Sequence, residues 1–255
     1  MAEIMDAYWR MPPLTRFVTT AVLATSIGGH FGLIPVQWLY FDYYFIFKLP
    51  PQVWRPFTSF LLTGPKLGIV MDTYFVYQYL NQLETAHPKF TRAEDLLWYL
   101  FFCGVIILVV AKYFLGSFFF LPALILAMAY TATQDARGQK AGFFFFTVPA
   151  QLIPICMMCA TLLMSGPHAM LLQLVGLIAA HLHDFLTRLY PEFGGGRNWI
   201  PAPDFLSRLV NTPRIVTRNY GTAMQASQSS AGTGAQGSGP LPDSWKTRGA
   251  GHRLG

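Results

Sequence analysis

The chain has 255 residues, of which 53% are apolar, 16% are aromatic and only 12% are charged. Because soluble domains have about 25% charged residues, this composition excludes an ordinary soluble domain and predicts a polytopic membrane protein. The net charge of +6 would suit nucleic acid, but the basic residues lie in the loops and the tail around apolar segments, so membrane topology explains them better.

Six apolar segments predict six membrane-spanning helices. They cover about residues 15–33, 67–82, 96–111, 118–132, 143–164 and 170–186. No cleavable signal peptide is evident before the first span, so we expect that span to stay and to act as the targeting signal. Pro149 and Pro154 interrupt the fifth span and predict a kink. The third and fourth spans are short, since about 16 residues give roughly 24 Å of helix against ~30 Å of hydrocarbon, and we expect the bilayer to thin beside them.

The segment between the first two spans is too apolar for an ordinary surface loop. Residues 47–64 include three prolines, so they cannot form one regular helix. Trp54 next to Arg55 combines an amphipathic ring with a permanent positive charge, which suits the membrane interface. We predict a hairpin that lies in one leaflet or dips into it. The alternative, which the chemistry alone favours, is that this pair is only an interfacial anchor.

The second span has polar residues on one face. Gln78, Asn81 and Gln82 follow the i, i+3, i+4 spacing of a single helix face, and Asp72 lies further up the same segment. Either this face hydrogen-bonds to neighbouring helices, or it lines a wet cavity. The sequence leaves both interpretations open.

The cysteines favour packing over chemistry. Cys103, Cys156 and Cys159 all fall inside apolar runs. The last two have CxxC spacing, but no second cysteine or histidine pair lies near them in the sequence. We therefore interpret all three as packing residues, and we predict neither a metal site nor a cofactor.

The distribution of charge predicts the topology. Six spans place both termini on one side of the membrane, and 14 of the 18 lysines and arginines fall on that side, against four on the other. The positive-inside rule therefore predicts cytosolic termini and a first loop on the lumenal or outer side. The predicted organisation is a cytosolic lead, a six-helix membrane domain, an amphipathic cytosolic segment and a disordered tail, over residues 1–14, 15–190, 191–220 and 221–255 respectively.

A six-span protein with a membrane-embedded first loop is similar in outline to the rhomboid intramembrane proteases. A rhomboid needs a serine nucleophile in a Gly-x-Ser-Gly setting in its fourth span and a histidine base in its sixth. Here Ser117 follows a glycine but precedes a phenylalanine, and Gln173 stands where the histidine is expected. We therefore predict no catalytic residues and interpret Ser117 as a packing or capping residue.

The sixth span has a pair of small residues, Gly176 and Ala180, with the spacing that lets a neighbouring helix approach closely. His181 and His183 come after this pair. We interpret His181 as a polar residue whose hydrogen bonds are made within the helix bundle or at the membrane interface, and not as a catalytic base.

Four motifs together resemble the Derlins, which are rhomboid-like pseudoproteases of the endoplasmic reticulum. MPPLTR resembles the start of the first Derlin span, and FKLPPQVWRPFTSFLLTG resembles the first loop with its Trp-Arg motif. YQYLNQLE resembles the end of the second span, and GGRNWIPAPDFL resembles the segment after the sixth. These motifs are spread in order over residues 11–206, so together they are specific. In this comparison Gly176 and Ala180 stand where Derlins have the GxxxG pair of their sixth span.

Residues 249–255, GAGHRLG, resemble the SHP box with which Derlins bind a cytosolic AAA+ segregase of the valosin-containing type. The matching residues are Gly249, Gly251, Arg253 and Leu254. Derlins usually have an aromatic residue directly before the first glycine, and this chain has an arginine there.

The resemblance implies a non-catalytic, rhomboid-like, all-α membrane protein of endoplasmic-reticulum-associated degradation. Such a protein would help to recognise misfolded proteins and to move them to the cytosol, with local membrane thinning and with energy from the segregase. The implied partners are the segregase, a membrane E3 ubiquitin ligase complex, misfolded proteins and the lipid bilayer, and no nucleic acid. The implied location is the endoplasmic reticulum membrane, with several spans and both termini cytosolic. The sequence leaves homo- and hetero-oligomers open.

Two other functions are alternatives. The first is an active rhomboid-type serine protease, which labelling of Ser117 by a fluorophosphonate would support. The second is a solute transporter, which would usually have internal repeats or ionisable groups near mid-span. Asp72 is the main candidate for such a group, but the sequence has no clear repeat.

Overall fold

The computed structural model describes residues 2–47, 52–90, 92–135, 138–143 and 146–190, together with Pro203 and Leu206. These residues form nine α-helices and a two-stranded sheet. The helices are α1 (Ala2–Arg10), α2 (Pro13–His30), α3 (Tyr43–Phe47), α4 (Arg55–Thr58), α5 (Leu67–Thr85), α6 (Ala93–Val110), α7 (Leu121–Gln134), α8 (Ile153–Ser165) and α9 (Pro167–Asp184). Apart from Pro203 and Leu206, the predicted cytosolic segment, 191–220, and the predicted tail, 221–255, lie outside the described residues.

Helix α7 is the centre of the bundle. It packs against α5, α6, α8 and α9, and its contact with α9 is the most extensive between helices of the described residues. Ten of its 14 residues are buried. Many of them are alanines, and small side chains let neighbouring helices approach closely. Helix α2 packs instead against α5, at the edge of the bundle.

The six longer helices, α2 and α5 to α9, alternate in direction, so their ends meet at two opposite ends of the bundle. At one end, the Glu84 carboxylate of α5 accepts hydrogen bonds from the backbone N–H groups of Leu14 and Thr15 at the start of α2, at 3.1 and 2.8 Å. At the same end, Lys89, just after α5, lies 2.6 Å from the carboxylate of Asp184 at the end of α9. We call this the charged end.

The opposite end is formed by the connections from α2 to α5, from α6 to α7 and from α8 to α9. The backbone N–H of Phe41 donates to the Phe118 carbonyl at 3.2 Å. A ring nitrogen of His168, at the start of α9, lies 3.1 Å from the Leu115 carbonyl oxygen. We call this the first-loop end. The alternation fits six spans, but the number of spans stays a prediction.

Two helical segments have both the length and the hydropathy of a membrane span. They are Ala93–Leu115, with 23 residues and a mean hydropathy of 2.2, and Pro167–Leu189, with 23 residues and a mean hydropathy of 1.5. Helices α2 and α5 are long enough but less apolar, and α7 and α8 are shorter. The predicted helical architecture therefore holds for the described residues.

The predicted fifth span, over residues 143–164, is wrong in its first part. Strands β1 (Lys140–Phe143) and β2 (Phe146–Pro149) form an antiparallel hairpin, and α8 begins only after a further 3₁₀ turn. No proline kinks a helix here, because one ends β2 and Pro154 lies in the first turn of α8, where a missing N–H is tolerated. Hydropathy alone does not distinguish a short apolar strand from the start of a helix.

Of the two spans that are predicted to be short, only the fourth, 118–132, corresponds to a short helix, α7. Helix α6 begins at Ala93 and continues through a π-helical turn to Leu115, where Gly116 ends it in the left-handed conformation, with a φ of 61°. The third predicted span, 96–111, is therefore too short by several residues. Helices α7 and α8 have 14 and 13 residues, which corresponds to about 21 and 20 Å.

The remaining limits are close to the prediction. Helices α2, α5 and α9 begin and end within three residues of the predicted first, second and sixth spans, 15–33, 67–82 and 170–186. The predicted lead, 1–14, contains α1, which the sequence reasoning missed.

Candidate functional site

Arg55 folds the first loop, the connection between α2 and α5, around its own side chain. That side chain is only 3% exposed. Its Nε donates to the side-chain oxygen of Gln52, and its Nη1 donates to the backbone carbonyls of Gln37 and Tyr40, both at 2.7 Å. Hydrogen bonds from a charged donor are stronger than neutral ones. Arg55 therefore joins parts of the loop that are up to 18 residues apart.

Aromatic rings complete the surroundings of this guanidinium. Its central carbon lies 3.9 Å from the ring centre of Phe45 and 5.1 Å from that of Tyr40. A desolvated cation over a ring of this kind gains about 2 kcal/mol. The expectation that Trp54 and Arg55 form one interfacial pair therefore does not hold for Arg55, because its charge lies inside the loop.

The outer face of the first loop is apolar. Trp54 is 48% exposed and Phe57 is 64% exposed, and Trp38 and Val53 of the same loop are exposed as well. Helix α4 is a single turn that begins at Arg55. Because successive helical residues are about 100° apart, neighbours in the sequence can lie on opposite sides of such a turn. Residues 48–51 of the predicted hairpin lie outside the described residues.

The first loop is attached to the connection between α6 and α7. The backbone N–H of Phe120 donates to the Ser59 carbonyl at 3.1 Å, and the rings of Phe60 and Phe120 are 5.5 Å apart. At the edge of this contact, Lys112 lies 3.4 Å from the Asp42 carboxylate. The loop is therefore a folded part of the bundle.

The end of the first loop is held by polar groups of α2 and α5. The Ser26 hydroxyl donates to the Leu61 carbonyl at 3.2 Å and accepts from the backbone N–H of Thr63 at 3.1 Å. The Asp72 carboxylate accepts from the backbone N–H of Gly64 at 2.9 Å. Asp72 thus fixes the point at which the loop enters α5.

The other polar residues predicted on this span differ in their surroundings. The side-chain amide of Gln82 donates to the Ala132 carbonyl of α7 at 3.4 Å, so it contributes to helix packing. Gln78 and Asn81 are half-buried, and their side chains hydrogen-bond to no described residue. Asp72 therefore binds the end of the first loop, whereas Gln82 binds α7.

Gly176 lies directly against the backbone of α7. A Cβ atom added to Gly176 would lie 1.9 Å from the Ala123 carbonyl oxygen, far inside van der Waals contact. Ala180, one turn further along α9, is also buried. This close approach explains why α7 and α9 form the most extensive helix contact of the described residues.

The Ser117 hydroxyl does not hydrogen-bond to His181 or His183, the two histidines near the end of α9. The Ser117 hydroxyl is buried, and it hydrogen-bonds to no residue in the part of the chain that the structure describes. The side-chain oxygen of Gln173 is likewise buried without a described partner. His181 Nδ1 lies 2.9 Å from the Tyr130 hydroxyl, and the ring of His183 packs 4.9 Å from that of Tyr99.

Sequence reasoning missed a network of charges at the charged end. Besides Lys89, Asp184 binds Gln134 of α7, whose side-chain amide donates to it at 2.9 Å. Arg188, in the π-helical turn after α9, lies 2.9 Å from Asp135 at the end of α7. Lys89 also lies 3.6 Å from Asp135. The network joins the α5–α6 connection to the ends of α7 and α9, which no single stretch of sequence reveals.

His87 is the buried member of this end. Its Nδ1 accepts from the backbone N–H of Lys89 at 3.3 Å, and its Nε2 lies 3.0 Å from the Thr131 carbonyl oxygen. The neutral ring with its proton on Nε2 satisfies both contacts. Burial, assisted by the positive charge of Lys89, lowers the pKa of His87, although Asp135 opposes the shift.

The helical bundle, its two apolar helices of membrane-spanning length and its folded first loop indicate a helical membrane protein. The model of the Der1-like family matches residues 11–204. This match covers more than half of the sequence, and the chain belongs to the Der1-like family. The matched residues include the first loop, α5 and α9, whereas residues 249–255 lie outside them.

Individual relatives agree with this assignment. The chain is 29% identical to Derlin-1 of Homo sapiens and to Derlin-1 of Bos taurus, over 227 residues that cover 87% of this chain and 88% of each relative. It is 26% identical to Derlin-1 of Arabidopsis thaliana over 246 residues, which cover 94% of this chain and 87% of the relative. The resemblance to Derlins is confirmed, and it supports a role in endoplasmic-reticulum-associated degradation.

Proposed function

We propose that this chain is a non-catalytic component of endoplasmic-reticulum-associated degradation that helps to recognise misfolded proteins and to move them into the cytosol. The observation that most supports this function is the construction of the first loop. Arg55 fixes the loop from inside, and Trp54 and Phe57 stay exposed on its outer face. Misfolded proteins expose apolar segments, and a rigid apolar surface binds such segments without first having to become ordered.

The first-loop end faces the lumenal side, and the charged end faces the cytosol. The distribution of lysine and arginine supports this orientation, because 14 of 18 fall on the side that includes both termini. A substrate would then meet the first loop before it crosses the membrane. The protein would be a multi-pass protein of the endoplasmic reticulum membrane.

The bilayer thins beside α7 and α8. These helices have 14 and 13 residues, or about 21 and 20 Å, against ~27 Å of hydrocarbon in the endoplasmic reticulum. Even with the 3₁₀ turn Ala150–Leu152 before it, α8 remains shorter than α6 or α9 with their π-helical turns. A thinner bilayer lowers the cost of moving a polar chain across it.

The half-buried Gln78 and Asn81 of α5 offer polar contacts to a crossing chain. Helices α5 and α8 both pack against α7 but not extensively against each other. A polypeptide could therefore approach α7 between them. Asp72 is occupied by the backbone of Gly64, which weakens the argument for a solute transporter.

No hydrolytic step belongs to this function. Acyl transfer by a serine requires a base within hydrogen-bonding distance of the hydroxyl. The Ser117 hydroxyl has no such partner among the described residues. The energy for extraction comes instead from a partner that hydrolyses ATP.

That partner is an AAA+ segregase of the valosin-containing type. Gly249, Gly251, Arg253 and Leu254 would bind it, and the tail that holds them would raise its concentration at the cytosolic exit. A membrane E3 ubiquitin ligase complex, misfolded proteins of the endoplasmic reticulum and further Derlin subunits, of the same or another kind, complete the proposed assembly.

The test of the first loop is the half-life of a misfolded membrane substrate in cells that depend on this chain. Trp54→Ala and Phe57→Ala should each lengthen the half-life while the protein level stays normal, because both side chains are exposed. Tyr113→Ala is the matched control, since it removes an exposed aromatic ring at the same end but outside the first loop. An unchanged half-life in both first-loop variants would refute the proposed role of this surface.

The segregase is tested separately by a pull-down with the full chain and with a chain that ends at residue 239. We expect the full chain to retain the purified segregase and the shortened chain to lose it. Arg253→Ala should also weaken binding, and Lys246→Ala should not. Equal retention by the full and the shortened chain, or none by either, would refute the proposed motif.

A further inference from the structure

Helix α1 has a polar and an apolar side. Because successive residues are about 100° apart, Asp6 and Arg10 lie next to each other, each about 160° from Tyr8. Met5 and Trp9 lie between these two directions, about 60° and 100° from Tyr8 respectively. The sequence AEIMDAYWR thus gives a helix with its charges opposite Tyr8.

Tyr8 faces α2. Its hydroxyl lies 3.0 Å from the hydroxyl of Thr20, which is seven residues beyond the first residue of α2, or about 10 Å along its axis. The guanidinium of Arg16 lies 4.7 Å from the ring centre of Trp9. Helix α1 is therefore held beside the first turns of α2, with its charged side turned away from them.

The neighbouring apolar side chains stay more than half exposed in the described protein. Met5 is 55% exposed and Trp9 is 62% exposed. Phe17, in the second turn of α2, is exposed as well. Only two residues, Met11 and Pro12, separate α1 from α2, which leads into the bundle of this membrane protein. Whatever covers Met5 and Trp9 must therefore lie at the level where α2 begins.

We propose that α1 is an interfacial helix that binds the phospholipid headgroup boundary at the charged end. Met5 and Trp9 enter the boundary, Tyr8 points along α2 towards the membrane interior, and Asp6 and Arg10 face water. An amphipathic helix of this kind buries its apolar side about 5–10 Å into the boundary, which agrees with the position of Tyr8 beside Thr20. Indole and a nearby guanidinium are side chains that prefer this depth.

The proposal is tested by spin labels on the full chain in phosphatidylcholine nanodiscs. In a background with the three cysteines replaced by alanine, single labels are placed with Met5→Cys, Trp9→Cys, Asp6→Cys and Arg10→Cys. We expect the labels at positions 5 and 9 to collide severalfold more often with oxygen than with a water-soluble nickel complex. The labels at positions 6 and 10 should show the reverse.

Two outcomes overturn the proposal. Contact with the nickel complex at all four positions would place α1 in water. Labels at positions 5 and 9 that are immobile and shielded from both reagents would show that a protein covers them.

A second measurement keeps the native cysteines. The part of the tryptophan emission that disappears on Trp9→Phe replacement should be quenched by brominated phosphatidylcholine and little by iodide. Stronger quenching by iodide than by the brominated lipid would refute the insertion of Trp9.

Discussion

Replacement of Arg55 by alanine should open the first loop while the helices stay folded. The Gln37 and Tyr40 carbonyls would lose the donor that each now accepts from at 2.7 Å. Each carbonyl left without a partner costs about 1–3 kcal/mol, and the contact with the Phe45 ring is lost as well. The two carbonyls together correspond to about 2–6 kcal/mol, so we expect the free energy for opening the loop to fall by at least about 2 kcal/mol. Amide hydrogen exchange in the loop would then be at least about thirtyfold faster.

Hydrogen exchange with mass spectrometry in nanodiscs measures this directly, with peptides from α7 as the internal reference. Arg55→Lys should give a smaller effect, because an ammonium keeps the charge but cannot reach several acceptors as a planar guanidinium does. Trp54→Ala is the matched control, since Trp54 is about half exposed and should leave exchange in the loop nearly unchanged. Unchanged exchange in Arg55→Ala would refute the role of Arg55 as the centre of the loop.

Three further predictions concern the bundle and use thermal unfolding of the purified protein. Gly176→Ala should destabilise the protein by about 1–3 kcal/mol or more, because the new Cβ would lie 1.9 Å from the Ala123 carbonyl oxygen. The control Gly104→Ala should be neutral or stabilising, because its new Cβ would meet its nearest neighbour at 3.8 Å. Equal effects of the two replacements would contradict the close approach of α9 to α7. Glu84→Gln should cost about 1–2 kcal/mol, because a carboxylate at the start of α2 stabilises its free N–H groups; an unchanged unfolding temperature would contradict this. Burial lowers the pKa of His87, so the neutral ring contributes fully to stability above pH ~6.5, and this contribution is lost as the pH falls towards the lowered pKa. The His87→Asn variant should therefore lose less stability than the native chain between about pH 7.5 and 5.5. An equal loss in both proteins would refute the lowered pKa of His87.

The helical core could be predicted because it depends on local apolar runs. The limits of α5 and α7 follow from hydropathy and helix length, with errors of only a few residues. The hairpin β1–β2 could not be predicted in this way, since a run of phenylalanines is equally apolar in a strand and in a helix. The two prolines near it were visible, but whether a proline kinks a helix or begins one depends on where the helix starts.

The other features that the sequence did not predict depend on contacts between residues that are far apart in the chain. Glu84 and Thr15 are 69 residues apart, yet the carboxylate accepts from the backbone of Thr15 at 2.8 Å. Each residue belongs to a motif that the resemblance to Derlins singled out, YQYLNQLE and MPPLTR. The motifs were visible, but only the fold shows that one stabilises the start of the other. The network around Asp184 has the same origin, because its members come from the α5–α6 connection and from the ends of α7 and α9.

The Trp-Arg motif of the first loop combines two tasks that only single replacements can separate. Arg55 points inward and Trp54 stays about half exposed, although the two are adjacent in the sequence. Loss of Arg55 would disturb the loop and so would slow substrate turnover even if Trp54 made no contact with substrate. Whether the motif contacts substrate is therefore tested by Trp54→Ala, provided that hydrogen exchange in the loop is unchanged in this variant. If that variant turns substrates over normally while Arg55→Ala does not, the motif serves only to fold the loop.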